Sequence, residues 1–432
     1  MQFVSTRSQA AAVSLSAALS AGLAPDGGLY LPAHWPQFKP AAFADETDLP
    51  QIAQRLLTPL FAGDPLAAAL PQICAQALDI DAPLRALPMP NSWMLELFHG
   101  PTAAFKDFAA RFLAACLLRI EPAGETRELQ ILVATSGDTG AAVGAAFSGK
   151  PGVRVWILYP DGRVSPRQAH QLGAFGGNVT ALRLQGNFDD CQALVKRALN
   201  DDELTSRLRL SSANSISLGR LLPQMSYYAQ ASLRHWRAHG RTLGFIVPTG
   251  NLGNGLAALL ARRMGLPIGA IVLASNANPT LSEYFAGEEY TPRPGIATLA
   301  NAMDVGAPSN FERLRALFAN DAELRAELSA ERVDDAQIRS AISTSAARYG
   351  TVVCPHTACA LVALERRRAA GDSRDYAVVA TAHPAKFDTV LAPLIDAVPA
   401  PPPALAALLQ RPSHSEALAN DYAAFSARLL AG

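Results

Sequence analysis

Residues 95–107 read Leu95-Glu-Leu-Phe-His-Gly-Pro-Thr-Ala-Ala-Phe-Lys106-Asp107, and the placing of Lys106 in that string sets the reading of the chain. An apolar run ends at Gly100-Pro101, and a helical apolar pattern follows over 108–120. A turn pair followed by helical periodicity puts Lys106 at or near a helix start. There the helix dipole and the apolar neighbours Phe105 and Phe108 disfavour an ammonium and lower the lysine's proton affinity. A neutral amine is what condensation with an aldehyde requires, so Lys106 is a candidate Schiff-base lysine. A solvated helix-start lysine is the plainer alternative. Two Gly-rich loops elsewhere in the chain weigh against it.

The first loop, Thr249-Gly-Asn-Leu-Gly-Asn-Gly255, follows the apolar run 245–247 and opens a helical pattern from Leu256. Glycines there let backbone N–H groups approach an anion, and the helix dipole favours negative charge. The second, Ser136-Gly-Asp-Thr-Gly140, follows 131–135 and adds two hydroxyls, a combination suited to a carboxylate. Either loop also reads as a plain strand-to-helix turn. Gly144-Ala-Ala-Phe-Ser-Gly-Lys-Pro151 nearly spells a nucleotide-binding P-loop, but Pro151 stands where a Ser or Thr would ligate magnesium. A GxGxxG opening a helix is absent, which disfavours a nicotinamide enzyme.

From Leu129 onward, short β-rich runs alternate with helical ones. Residues 131–133, 153–158, 179–184, 245–247, 270–273 and 377–380 read as strands buried on both faces. Helical patterns lie between them, over 190–199, 221–236 and 255–264. This predicts an α/β protein with parallel-rich sheets flanked by helices, in blocks of about 125–215 and about 235–395. Right-handed crossovers place the loops after the strands on one side. Residues 1–90 are turn-rich, then helical, and read as an N-terminal region packed on that body. The tail from Val398, with Pro399, Pro401, Pro402 and Pro403, reads as a stiff linker into a last helical segment.

Lys+Arg and Asp+Glu both number 37 in 432 residues, so the broad basic excess of a nucleic-acid or membrane-surface binder is lacking. No run reaches the 18 or so apolar residues of a membrane span, and the Ala-rich stretch after Arg7 is broken by Ser14, Ser16 and Ser20. The five cysteines include no CxxC pair, which fits a reducing cytoplasm better than a disulfide framework. Cys354-Pro-His-Thr-Ala-Cys359 leads into an apolar helix and reads as packed thiols and a helix-start histidine. No metal is expected.

Longer strings carry a resemblance. Glu96 to Asp107 resembles the cofactor-lysine segment of the threonine synthases. Gly22-Leu-Ala-Pro-Asp-Gly-Gly-Leu-Tyr-Leu-Pro32 resembles the start of that family, and Ala134-Thr-Ser-Gly-Asp-Thr-Gly140, Gly219-Arg-Leu-Leu-Pro-Gln224, Pro308-Ser-Asn-Phe-Glu-Arg313 and Thr381-Ala-His-Pro-Ala-Lys-Phe387 resemble further segments of it. The likeness runs over roughly residues 3–390. It implies a two-lobed, tryptophan-synthase-beta-like fold with pyridoxal 5'-phosphate in the cleft between lobes. The cofactor-binding domain would comprise 91–124 and 235–395, the smaller substrate-side domain 125–234, with 1–90 and 396–432 outside them.

The resemblance also implies roles. Lys106, beside Phe105, carries the cofactor; Gly250, Asn251, Leu252, Gly253 and Asn254 hold its phosphate; Thr381 meets the pyridine nitrogen. On the substrate side stand Ser136, Thr139, Asn214, Ser215 and Arg220, with Arg163, Asn187 and Lys386 in reserve. Unaided, Thr381 and Asn214 read equally well as capping residues, and Arg220 as a surface helix charge. The wider fold often carries Asn where this chain has Asp138, and a bare carboxylate there would repel a substrate carboxylate unless paired. The implied reaction converts O-phospho-L-homoserine and water to L-threonine and phosphate, with Lys106 as base and acid, in a cytoplasmic monomer or homodimer. A serine/threonine dehydratase-type lyase and a non-catalytic phospho-amino-acid binder are the rival readings.

Overall fold

The alternating strands and helices fold into two parallel-rich sheets in a computed structural model that describes residues 1–120 and 124–432. The larger sheet runs in the order Leu328–Arg332, Ile268–Ser275, Leu243–Pro248, Tyr376–Ala380, Ser92–Glu96 and Leu84–Ala86. All its neighbours are parallel except the last pair. The smaller sheet is parallel throughout, in the order Glu416–Leu418, Val179–Leu184, Val153–Pro160, Leu129–Ala134 and Arg209–Ser212. Leu129–Ala134 and Tyr376–Ala380 are buried along their whole length, as strands covered by helices on both faces must be.

The six β-rich runs expected from sequence all lie within strands of these sheets. Leu328–Arg332, Leu84–Ala86 and Glu416–Leu418 were not expected. Each is a short edge strand with partly exposed residues, so it needs no apolar run to be stable. The tail therefore does more than link to a helix. It adds an edge strand to the smaller sheet and then packs Phe425 and Leu429 of helix Tyr422–Ala431 into that sheet's core.

Residues near the N-terminus form an antiparallel pair, Phe3–Ser5 with Tyr30–Pro32. Helices Leu49–Phe61 and Leu70–Ala77 then lie against Gln224–His239 and Lys106–Leu117 respectively. Their apolar faces join the main hydrophobic core. Among the described residues no helix is long and apolar enough to cross a membrane.

Parallel pairing puts the C-terminal ends of the strands in each sheet on one side, where crevices form in open α/β sheets. Leu129–Ala134 leads into helix Asp138–Phe147, Leu243–Pro248 into Gly253–Arg263, and Tyr376–Ala380 into Thr381.

Candidate active site

Lys106 opens helix Lys106–Leu117, as the turn-then-helix pattern predicts. Its position is set by residues on both sides. Asp107, fully buried, accepts from the Thr102 N–H at 2.9 Å and hydroxyl at 2.7 Å, closing the 102–107 turn. A Cβ on Gly100 would stand 2.5 Å from the Asp107 carboxylate, so only glycine fits. Ala103 has a φ of 57°, and its carbonyl accepts from the His383 N–H at 3.0 Å. The Phe105 N–H donates to the Thr381 carbonyl at 2.8 Å. Residues 103–105 thus pair with 381–383, which brings Lys106 and Thr381 to one cavity across 275 positions of sequence.

The Lys106 side chain keeps 15% of its exposure and its Nζ lies 4.9 Å from the centre of the Phe105 ring. Burial lowers its proton affinity; Asp138 opposes this, while Lys386 and Arg220 reinforce it. The net shift is downward, toward the neutral amine. Lys386 is the other lysine nearby. It is fully buried, and its ammonium donates to the Thr102 carbonyl and to Asp138 Oδ1, both at 2.8 Å. It is not free to attack an aldehyde.

The loop after Leu243–Pro248 forms the cavity's second wall. Leu252, at the start of helix Gly253–Arg263, has a φ of 65°, a left-handed conformation that costs a leucine on the order of 1–3 kcal/mol. The turn leaves the first N–H groups of the helix without helical partners, facing the cavity end of its axis. A Cβ on Gly250 would meet the Met303 Cα at 2.7 Å, whereas one on Gly253 would have nothing nearer than 3.7 Å. The space beside Gly253 is therefore open. Asn254 Oδ1 accepts from Tyr227 and Tyr228 at 2.6 and 2.8 Å, while its buried Nδ2 has no protein partner. An open glycine cradle at a helix start, with an orphaned amide donor, fits a phosphate. The residues present thus fit the phosphate of pyridoxal phosphate, with Lys106 on the same cavity wall.

Apart from the three held in reserve, every site residue named from the sequence lines this one cavity: Phe105, Lys106, Ser136, Thr139, Asn214, Ser215, Arg220, Gly250 through Asn254, and Thr381. Their side chains are not equally available. Asn214 pairs both ways with the Ala134 backbone, donating at 2.6 Å and accepting at 3.0 Å, so it joins two strand ends and retains one N–H. The Ser215 hydroxyl accepts from Asn251 Nδ2 at 2.6 Å. Arg313, fully buried, donates to the carbonyls of Tyr30, Ser215 and Ile216 and so shapes the 214–216 turn.

Arg220 is different. It is 2% exposed and forms no ion pair among the described residues, and its guanidinium bonds only the Ala213 carbonyl, leaving Nε unpartnered. Burial pushes its proton affinity down, to about 10. A buried guanidinium without a carboxylate is costly unless an anion arrives.

Asp138 is paired, the condition under which a carboxylate belongs in this loop. Lys386 at 2.8 Å and Lys106 at 3.7 Å flank it, and Gln168 Nε2 donates to it at 2.9 Å. Burial pushes it up, but the two lysines outweigh this and hold it well below the usual carboxylate range.

Of the reserve residues, Arg163 and Asn187 line an adjoining cleft, and Asn187 caps helix Phe188–Leu199 with its side chain. Lys386 is not among the lining residues. Sequence reasoning missed Gln224 and His356 as lining residues. Gln224 stands one helical turn after Arg220, a spacing that could have flagged it. The helix-start reading of His356 describes its place on Pro355–Ala369, but nothing local reveals what it packs against. Its Nε2 accepts from the Ala302 N–H at 3.1 Å, and burial pushes it down to about 4, so it is neutral near pH 7.

Two parallel-rich sheets with a lysine and a glycine cradle between them define a class, the pyridoxal-phosphate-dependent enzymes. The family model described as "Pyridoxal-phosphate dependent enzyme" matches residues 82–384. Models described as "Threonine synthase N terminus" and "Threonine synthase, C-terminal" match residues 2–78 and 357–428. The chain belongs to the threonine synthase family, lyases of threonine biosynthesis, and its cofactor is pyridoxal phosphate. It is 37% identical to a threonine synthase of Haemophilus influenzae over 97% of each chain. The crystal structure of threonine synthase from Escherichia coli superposes with a TM-score of 0.91 at 36% identity, covering 100% of both chains. The pyridoxal-phosphate-bound threonine synthase from Brucella melitensis gives 0.88 at 37% identity, covering 99% of this chain and 98% of that one.

Proposed function

We propose that the chain converts O-phospho-L-homoserine and water to L-threonine and phosphate, with Lys106 carrying the cofactor. The observation that bears most on the phosphorylated substrate is Arg220, a buried guanidinium without a carboxylate partner beside the glycine cradle. A dehydratase acting on serine or threonine has no need of a second phosphate site. When bound, pyridoxal phosphate supplies the sink for electrons released at the substrate's α-carbon.

The protein's part is to bind, orient and move protons. The loop Gly250 to Asn254, with its backbone N–H groups and the Asn254 amide, would hold the cofactor phosphate, and the Thr381 hydroxyl would serve the pyridine nitrogen. The hydroxyls of Ser136 and Thr139 and the N–H groups opening helix Asp138–Phe147 take the substrate carboxylate. Arg220, with Ser215 and the spare Asn214 N–H, holds the substrate phosphate as it leaves. The Lys106 nitrogen, inclined to neutrality, removes the α-proton and returns protons later in the sequence.

The domain assignment is also a proposal: 91–124 with 235–395 as the cofactor-binding domain, 125–234 as the substrate side, and 1–90 and 396–432 flanking them. We infer a cytoplasmic enzyme, monomeric or homodimeric; its five unpaired, buried thiols support the reducing compartment. The test is phosphate and threonine release from phosphohomoserine, run beside 2-oxo-acid release from serine and threonine. Equal yields of threonine and phosphate are expected. Turnover of serine or threonine alone would make the chain a dehydratase.

A further inference from the structure

Asp138 and Lys386 form a buried ion pair that joins the two sheets beside Lys106. Asp138 follows Leu129–Ala134 of the smaller sheet, and Lys386 lies just beyond Tyr376–Ala380 of the larger one. The pair is seated from both sides. Gln168 Nε2 binds Asp138, the Ser165 hydroxyl donates to the Lys386 carbonyl at 3.0 Å, and Arg167 pairs with Asp388 at 3.0 Å. Lys386 is fully buried and Asp138 nearly so, which makes the pair costly in desolvation. Its two charges satisfy each other through Asp138 Oδ1, while Oδ2 is left 3.7 Å from Lys106 Nζ.

We propose that Lys386 is a positioning residue for the chemistry at Lys106: it ties down Oδ1 of the Asp138 carboxylate, leaves Oδ2 aimed at the Lys106 nitrogen and offsets the carboxylate's charge there, so that the pair sets how readily that nitrogen takes and gives its proton. This rests on Lys106 being the cofactor lysine. The groups facing Lys106 are Asp138, Lys386, Arg220 and the neutral His356, with Asp107 behind Lys386 and Arg220. Their signs differ. Asp138 favours a proton on Lys106, and the cations of Lys386 and Arg220 oppose it. Neutralising Lys386 therefore leaves Asp138 to hold that proton more tightly, and neutralising Asp138 leaves two cations repelling it.

The test uses the full chain as Lys386→Met, Asp138→Asn and the double variant. Two readouts report the proton on the Lys106 nitrogen: the pH midpoint of the holoenzyme's visible cofactor band, and the pH dependence of cofactor uptake after stripping. Lys386→Met should raise the midpoint by about one pH unit, tenfold in proton affinity, and Asp138→Asn should lower it comparably. The double variant, neutral at both positions and able to fold if a lone buried charge prevents either single variant from doing so, should fall below the parent. Its drop should be smaller than that of Asp138→Asn, because the nearer charge wins. In the folded single variants kcat should fall while KM for phosphohomoserine stays near the parent's. Unchanged midpoints, or single shifts of the same sign, overturn the proposal. A parent cofactor band that survives in Lys106→Ala would instead overturn the assignment of Lys106.

Discussion

Lys106 and Lys386 share one carboxylate, yet only one of them can serve as a nucleophile. Lys106 lines the cavity with a depressed proton affinity, and Lys386 spends its donors on Asp138 and a carbonyl. Lys106→Ala should still bind pyridoxal phosphate weakly through the glycine loop but lose the visible band and essentially all turnover. Near-normal turnover in that variant would remove Lys106 from the mechanism. Arg220→Leu should leave the visible band intact and weaken phosphohomoserine binding roughly tenfold to a hundredfold, the worth of a charge-assisted hydrogen bond. Inorganic phosphate, a competitive inhibitor of the parent, should inhibit the variant much less. Parent-like affinity and inhibition would make Arg220 a structural cation and turn attention to Arg163. The place of Lys106 at a helix start was legible because its signals are local: a Gly-Pro turn, a helical apolar pattern and aromatic flanks. The pairing of Asp138 was not, because its cation lies 248 residues further along the chain and meets it only after both sheets have formed.

At the level of elements, the cavity is built from helix starts. The helices opening at Lys106, Asp138 and Gly253 all begin on its wall, so their dipoles favour the anionic groups of cofactor and substrate. The two glycine loops could be read from sequence, since a strand, a glycine turn and a helix leave a contiguous pattern. The short edge strands could not be, because they are fixed by a neighbour's backbone and carry no periodicity of their own. Gly253→Asp tests the cradle with little steric damage, since its Cβ would have nothing nearer than 3.7 Å. The carboxylate would occupy the space assigned to the cofactor phosphate. Cofactor affinity should collapse while the thermal unfolding of the stripped chain changes little. Unchanged affinity would place the phosphate elsewhere.

Across the whole molecule, the catalytic cavity is shared between two sheets that the sequence interleaves. Segments near residues 106, 138, 220, 253 and 381 reach it from both sheets, and the tail completes the smaller sheet's edge. Borohydride reduction of the holoenzyme, followed by digestion and peptide mapping, locates the lysine bonded to the cofactor. The account predicts a pyridoxyl label on the peptide carrying Lys106 and none on that carrying Lys386. A label on Lys386, or on any lysine outside this cavity, would contradict it.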